Sequence, residues 1–494
     1  MNKSKTIFFI IISLFFSLNN FAQEKKIVNL TLNDVVRIAK EQSPDALMAK
    51  HKFKSSYWQY RTFKANYLPQ VNFSSTLPDF SKSIDKITLS NGDDIFIKRR
   101  LANSNMSISV AQKIGLTGGQ IFLNSNVRRL DVIGDSTNTS YLTTPINIGL
   151  SQPVFAYNPY KWEKKIEPLE YEEAKRIYLE DMEQVAITAT NYFFDMLLAQ
   201  IKTKIQLLNK TNNDTLYKIA QGRYNLGTIA ENDLLQLQLS LLNSNTNYEN
   251  QKLNLQMKRF KLKSFLRLKD NDIINLIPPD KIFDIEVNHE KAISEARQNA
   301  SDFIAFNRKI LEQEREVSRA KLENRFSANI YAVYGLTQSA DGFQEAYKNP
   351  LDQEQIRFGI QVPIIDWGLA KGKIKMAESN QQLVQTSVEQ QQIDFNQNIF
   401  LKVSRFNMQK SQLLIAAKSD TVAQKRYMVT KQRYLIGKIS ITELNIAQTE
   451  KDRAKESYIN TLWTYWTNYY ELRKLCLYDF INDKKIVFNL ENVK

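Results

Sequence analysis

Glycine and proline are placed very unevenly along this chain. Residues 169–221, 228–277, 373–436 and 438–494 contain neither, and these four runs make up 224 of the 494 residues. A sheet protein of this length needs turn residues about every ten positions. Breaker-free runs of 50 to 64 residues therefore dictate long helices over nearly half of the chain. Ten of the 14 glycines fall in two windows, 68–160 and 326–368, which marks two β-rich interruptions.

The helical runs carry the matching chemistry. Leu234, Leu237 and Leu241 recur at spacings of three and four, with Gln, Asn and Lys on the opposite side. A helix from about Tyr160 to Asn225 would reach roughly 100 Å, which suits a coiled coil or a tube rather than one globular core. The β windows alternate instead. Ile356, Phe358, Ile360, Val362 and Ile364 share one face and Arg357, Gly359, Gln361 and Pro363 the other. Ile146/Ile148/Leu150, Met106/Ile108/Val110 and Val71/Phe73 alternate in the same way with polar or small residues. Both a transmembrane barrel strand and a half-wet soluble sheet give this pattern.

The first 22 residues decide between them. Lys3 and Lys5 precede an apolar stretch, Ile7–Leu18, too short to span a bilayer comfortably. Phe21-Ala22 before Gln23 offers a cleavage site, so residues 1–22 read as an export leader, with an uncleaved anchor as the alternative. No cysteine follows, which excludes a lipoprotein, and no later run of 18 apolar residues occurs. An exported chain of this kind enters a membrane only as a β-barrel. That fate, with helices too long for a sandwich domain, favours the barrel over the soluble sheet.

Composition narrows the chemistry. One cysteine, Cys476, and two histidines, His51 and His289, leave no disulfide framework, zinc cluster or iron–sulfur site. Gly118-Gly119 lacks the lysine of a phosphate loop. The chain reads as no enzyme, with no cofactor and no metal. The formal charge of +15 is spread along the sequence. Combined with export, it points to solvated helix faces and anionic lipid surfaces, and to no nucleic acid.

The sequence also repeats. Gly149-x-x-x-Pro153 matches Gly359-x-x-x-Pro363 at an offset of 210. The same offset aligns Arg223-Tyr224-x-x-Gly227 with Arg433-Tyr434-x-x-Gly437 and continues through Leu262/Leu472. Upstream the offset is 257, pairing Ala39 with Ala296 and Asp45 with Asp302, so the first β window is longer by 47 residues. Each half reads as helix, strands, long helix, tight turn, long helix.

These features resemble the TolC family of outer-membrane efflux channels over nearly all of the chain after the leader. The resemblance is carried by the Leu32–Pro44 stretch, the Tyr67-Leu68-Pro69 junction, Ser151–Phe155, Val362–Gly368, and the turns RYNLGTIAENDL and RYLIGKISITEL. It implies a mainly α fold with transmembrane β: a long-helix periplasmic α-barrel plus a shared trimeric β-barrel, with two internal repeats per chain. The first repeat is expected over 23–278, with helices 30–66 and 158–268 and strands within 68–156. The second is expected over 279–494, with helices 288–325 and 367–476, strands within 326–366 and a tail at 477–494. The family's usual two strands per half leave the extra 47 residues as either a further barrel hairpin or a loop outside the barrel.

The resemblance further implies a homotrimer in the bacterial outer membrane, in contact with outer-membrane lipid, with its helical tube in the periplasm. It would be a passive conduit for small molecules or proteins, served by a periplasmic adaptor (membrane fusion protein) and an inner-membrane pump. The rival reading is a periplasmic coiled-coil scaffold or adaptor. By the resemblance, Arg223, Tyr224, Gly227, Arg433, Tyr434, Gly437 and Lys438 form the adaptor-docking end of the tube. Asp233, Glu443 and Tyr434 are its periplasmic gate, and Ile439 stands where some members carry a locking arginine. Trp463, Tyr465, Trp466, Tyr469 and Tyr470 are expected to pack inside the helical region rather than at a lipid interface.

Overall fold

The computed structural model describes residues 27–134, 136–269, 273–279 and 285–492. The expected leader lies outside the described residues. In chain order the elements are β1 (Ile27–Leu30), α1 (Leu32–Gln42), α2 (Pro44–Ala65), β2 (Gln70–Thr88), β3 (Asp94–Lys113), β4 (Gln120–Ile133) and β5 (Thr137–Val154). They continue with α3 (Pro159–Asn225), α4 (Glu231–Leu266), β6 (Ile273–Leu276), α5 (His289–Asn299) and α6 (Ser301–Glu323). The last are β7 (Ser327–Ala340), β8 (Leu351–Gln361), α7 (Leu369–Leu435) and α8 (Ile441–Cys476).

Local chemistry sets many of these boundaries. Thr31 starts α1 with a reciprocal cap: its hydroxyl accepts from the Asp34 amide at 3.3 Å, and the Asp34 carboxylate accepts from the Thr31 amide at 3.1 Å. Pro44 opens α2, where a missing amide proton costs nothing. The Asn288 side chain caps α5. The chain divides into two compact units, one holding residues up to Phe53, Arg176–Ala300 and Asp394–Lys494, the other Lys54–Lys175 and Ser301–Ile393.

In the first unit the core is helical. Phe193, Phe194, Met196 and Leu197 of α3, Leu262 and Leu266 of α4, Ile399 and Phe406 of α7 and Tyr465 of α8 are fully buried. Tyr465, Trp466, Tyr469 and Tyr470 form a run of ring contacts with one another and with Phe406. Trp463 is partly exposed and donates to Asn191 at 2.8 Å. This cluster therefore packs a helical core. Buried charge beside it is paired: Arg473 meets Glu183 at 3.1 Å and Asp479 at 3.0 Å, and the Tyr469 hydroxyl donates to Asp479 at 2.7 Å. A small parallel pair, β1 with β6, lies in the same unit. Its second strand sits inside a run that lacks Gly and Pro, beyond the expected end of the helix at 268. Absence of breakers permits a helix but does not impose one on Ile273–Leu276, which finds a strand partner 246 residues away.

In the second unit a single antiparallel sheet runs in the order β2-β3-β4-β5-β7-β8. The first β window thus supplies four strands and the second two, so the extra residues add a hairpin to the sheet rather than a loop outside it. The register places Val71, Phe73, Ile108, Val110, Leu123, Ile148, Ala332, Ile356 and Phe358 on one face. Several of these are strongly exposed, with Phe73 at 66% and Phe358 at 72%. The opposite face carries Asn72, Ser74, Ser107, Ser109, Asn124, Asn147 and Arg357. Pairing of β2 with β3 continues to Thr88↔Asp94, whereas β3 and β4 part at Leu101↔Val132. Residues 82–88 and 94–100 consequently pair only with each other. Among the described residues, β2 and β8 each leave one edge unpaired, and no helix is long and apolar enough to cross a membrane.

Candidate functional site

The two helix turns of the first unit share one backbone solution. Thr228 donates its amide to the Arg223 carbonyl at 2.9 Å and Gly227 to the Tyr224 carbonyl at 2.8 Å. In the second turn Lys438 donates to Arg433 at 3.0 Å and Gly437 to Tyr434 at 2.9 Å. This paired closure ends a helix with a left-handed residue at the glycine, and φ is +69° at Gly227 and +76° at Gly437. The helices that follow start differently. Ser440 caps α8 by accepting from the Glu443 amide at 3.3 Å, whereas Ala230, the equivalent residue before α4, has no side chain that can cap.

The structure brings the two turns together. The Arg223 guanidinium donates to the Tyr434 carbonyl at 3.4 Å and also to the Leu435 carbonyl. It lies 5.8 Å from the centre of the Tyr434 ring. A cation from the first turn thus closes the carbonyl end of the helix before the second turn, where the helix dipole favours positive charge. Tyr434 is buried among Leu216, Ala220, Leu237, Tyr427, Ile441, Leu444 and Ala447. Burial pushes its phenol above the ordinary value; Arg223 opposes that shift and Asp233 adds to it. Asp233, half-buried in the first turn of α4, is therefore close enough to Tyr434 to act electrostatically.

The other expected residues lie outward. Tyr224 is 40% exposed, against 7% for its repeat partner Tyr434. Arg433, Lys438 and Glu443 are exposed. They line a groove of about 900 Å³ between α7 and α8, together with Lys425, Arg426, Val429 and Ile446. The sequence repeat makes Arg223 and Arg433 look alike, but only Arg223 is engaged by the other turn. Sequence reasoning also passes over Leu226, 80% exposed, and Ile436, 67% exposed, the apolar residues directly before each turn glycine. Their signal is present at the offset of 210: an apolar side chain held at a turn that packing does not cover. Among the described residues, no three His, Cys, Asp or Glu side chains converge as metal ligands would.

No protein-family model and no curated protein matches the sequence. Solved structures do match the fold. The outer membrane channel CmeC of Campylobacter jejuni is similar with a TM-score of 0.66 at 16% identity, covering 94% of this chain and 89% of that one. CusC, whose structures concern transmembrane channel formation, gives 0.63 at 12% identity, covering 92% and 93%. The outer membrane protein VceC of Vibrio cholerae gives 0.62 at 11%, covering 92% and 97%. The chain accordingly has the fold of the TolC-family outer-membrane channels.

Proposed function

We propose that this protein is the outer-membrane channel of a tripartite efflux or secretion system. It acts as a passive homotrimeric conduit, carrying small molecules or proteins from an inner-membrane pump across the periplasm and outer membrane. The observation that carries the reading is the sheet: one exposed apolar face, one polar face, and two unpaired edges. An open edge in lipid leaves amide and carbonyl groups unsatisfied. Three copies of six strands remove every edge and close an eighteen-stranded barrel with the polar face inward. The same order of helix pair, strands, long helix, turn and long helix in each half supports a chain of two repeats, 23–278 and 279–494.

In this reading the helical turns face the periplasm. Leu226 and Ile436, with Arg433 and Lys438 beside them, offer an adaptor both apolar contact and charge. Asp233 and Glu443, related by the repeat, would each form a ring of three carboxylates around the entrance, with Tyr434 held behind Asp233. Likeness of fold to the outer-membrane channels CmeC and VceC supports outer-membrane placement. The test is reconstitution of the purified full chain. A channel needs detergent for extraction, shows threefold end views in projection images and conducts ions across planar bilayers. Release by alkali, with no conductance, would refute the conduit and leave the periplasmic scaffold.

A further inference from the structure

We propose that the β2–β3 overhang carries a binding site for the phosphate-bearing headgroups of anionic membrane lipids, built on Lys82, Lys98 and Arg100. The inference rests on the barrel reading and goes beyond it. The register sets Lys82 directly opposite Arg100, and Lys98 opposite Ile84, on the face that also bears Phe73 and Ile108. All three cations are exposed, and among the described residues none has an acidic partner. Their surroundings show that pairing is available. On the same face Lys86 meets Asp94 at 2.5 Å, and on the opposite face Arg99 meets Asp85 at 3.6 Å.

Like charges set directly across two strands destabilise a sheet unless an anion lies between them. Apolar side chains flank the triad and are left open: Phe80 is 70% exposed, Ile84 66% and Phe96 75%. Such a mixture suits neither bulk water nor hydrocarbon. It suits the boundary, where rings settle at headgroup level and lysine stems run along apolar surface.

The height agrees. Val110 lies at the end of the sheet that joins the helices, and Arg100 is ten residues further along β3. Ten residues advance about 34 Å along a strand, and a barrel tilt near 40° turns this into a height of roughly 26 Å. An apolar barrel band is about 25 Å tall. The triad therefore emerges where the hydrocarbon ends, on the membrane side opposite the helices, and the overhang beyond it runs through the headgroup layer.

The test is native mass spectrometry of the detergent-purified full chain, mixed at low salt with equal amounts of phosphatidylglycerol and phosphatidylcholine. The parent should retain phosphatidylglycerol preferentially. Each cation near an anionic surface contributes roughly a fivefold factor, so the Lys82→Gln/Lys98→Gln/Arg100→Gln variant should lose about a hundredfold of that preference. Arg99→Gln, on the opposite face, should leave it unchanged. Equal retention by parent and triple variant would overturn the site. Displacement of the lipid by inorganic phosphate at matched concentration would reduce it to a plain anion site and overturn the lipid assignment. A nitroxide placed at Phe73→Cys in vesicles separates the two readings, since Cys476 is fully buried and escapes labelling. A water-exposed label would remove the barrel and the headgroup site together. A label in hydrocarbon with unchanged lipid retention would remove the headgroup site alone.

Discussion

Gly227→Ala should loosen the first helix turn, while Gly222→Ala, five residues earlier, should tighten the same stretch of chain. A methyl group at Gly227 would meet no atom within 4 Å, so no clash contributes. The whole cost comes from φ of +69°, where an L-residue pays about 1–2 kcal/mol. Loss of glycine freedom in the unfolded chain returns about 0.4–1 kcal/mol. The net is a destabilisation near 1 kcal/mol, roughly a fivefold rise in turn opening. Gly222 lies within α3, is equally uncrowded and has no left-handed backbone. There alanine should stabilise by about 0.5–1 kcal/mol, because a helical glycine restrains more chain entropy than alanine. Hydrogen exchange of the amides at 227 and 228, which close the turn, reads both effects without requiring reversible global unfolding. Changes of the same sign in the two variants, or an unaltered exchange rate in Gly227→Ala, would refute the assignment of cost to backbone handedness.

Other consequences follow from the same region. Ala230→Ser should supply the missing cap of α4 and Ser440→Ala should remove that of α8, each by about 1 kcal/mol in opposite directions, measured by exchange in the first turn of each helix. The raised phenol of Tyr434 means that its contribution is complete below the unfolded tyrosine value near 10 and is lost as pH rises through the folded value. Protection of the second-turn amides, taken relative to the base-catalysed exchange rate of an open chain at the same pH, should therefore fall under alkaline conditions in the parent and hold steady in Tyr434→Phe. In planar bilayers Asp233→Ala with Tyr434→Phe should raise single-channel conductance, and an unchanged value would count against their gating role. In a Cys476→Ser background, a bis-maleimide should join Tyr224→Cys/Arg433→Cys chains into dimers and trimers, whereas Arg223→Cys/Tyr434→Cys should remain monomeric. Monomers from both pairs would refute a ring in which the second turn of one copy meets the first turn of the next.

Long helices were legible because four runs hold no glycine or proline, and the sheet faces were legible because alternation survives in each strand. Isolated breakers are a weaker guide. Helix α3 runs through Pro168 and Gly222, and α7 through Gly372. Pro168 sits on an exposed side of its helix, where water can serve the carbonyl left unpaired one turn earlier. The β1–β6 pair was invisible because a parallel partner 246 residues away leaves no periodic trace. The fate of the extra residues was equally closed to reading, since a hairpin added to a sheet and a hairpin standing apart have the same alternation and the same turn residues.

The turns set the limit of what the repeat can tell. Two identical motifs, 210 residues apart, predicted identical backbones, and the hydrogen bonds at Gly227 and Gly437 are indeed the same. The side chains around them are not. Tyr434 is covered and its carbonyl is taken by Arg223; Tyr224 is open and Arg433 reaches neither carbonyl of the first turn. A repeat within one chain cannot satisfy both halves alike, because a two-member row has one internal junction and two ends. In the proposed trimer, closing the row into a ring of three chains would turn both ends into junctions of the kind already seen between Arg223 and Tyr434. The exposed Tyr224 and Arg433 would then be the two sides of a contact that a single chain is unable to make with itself.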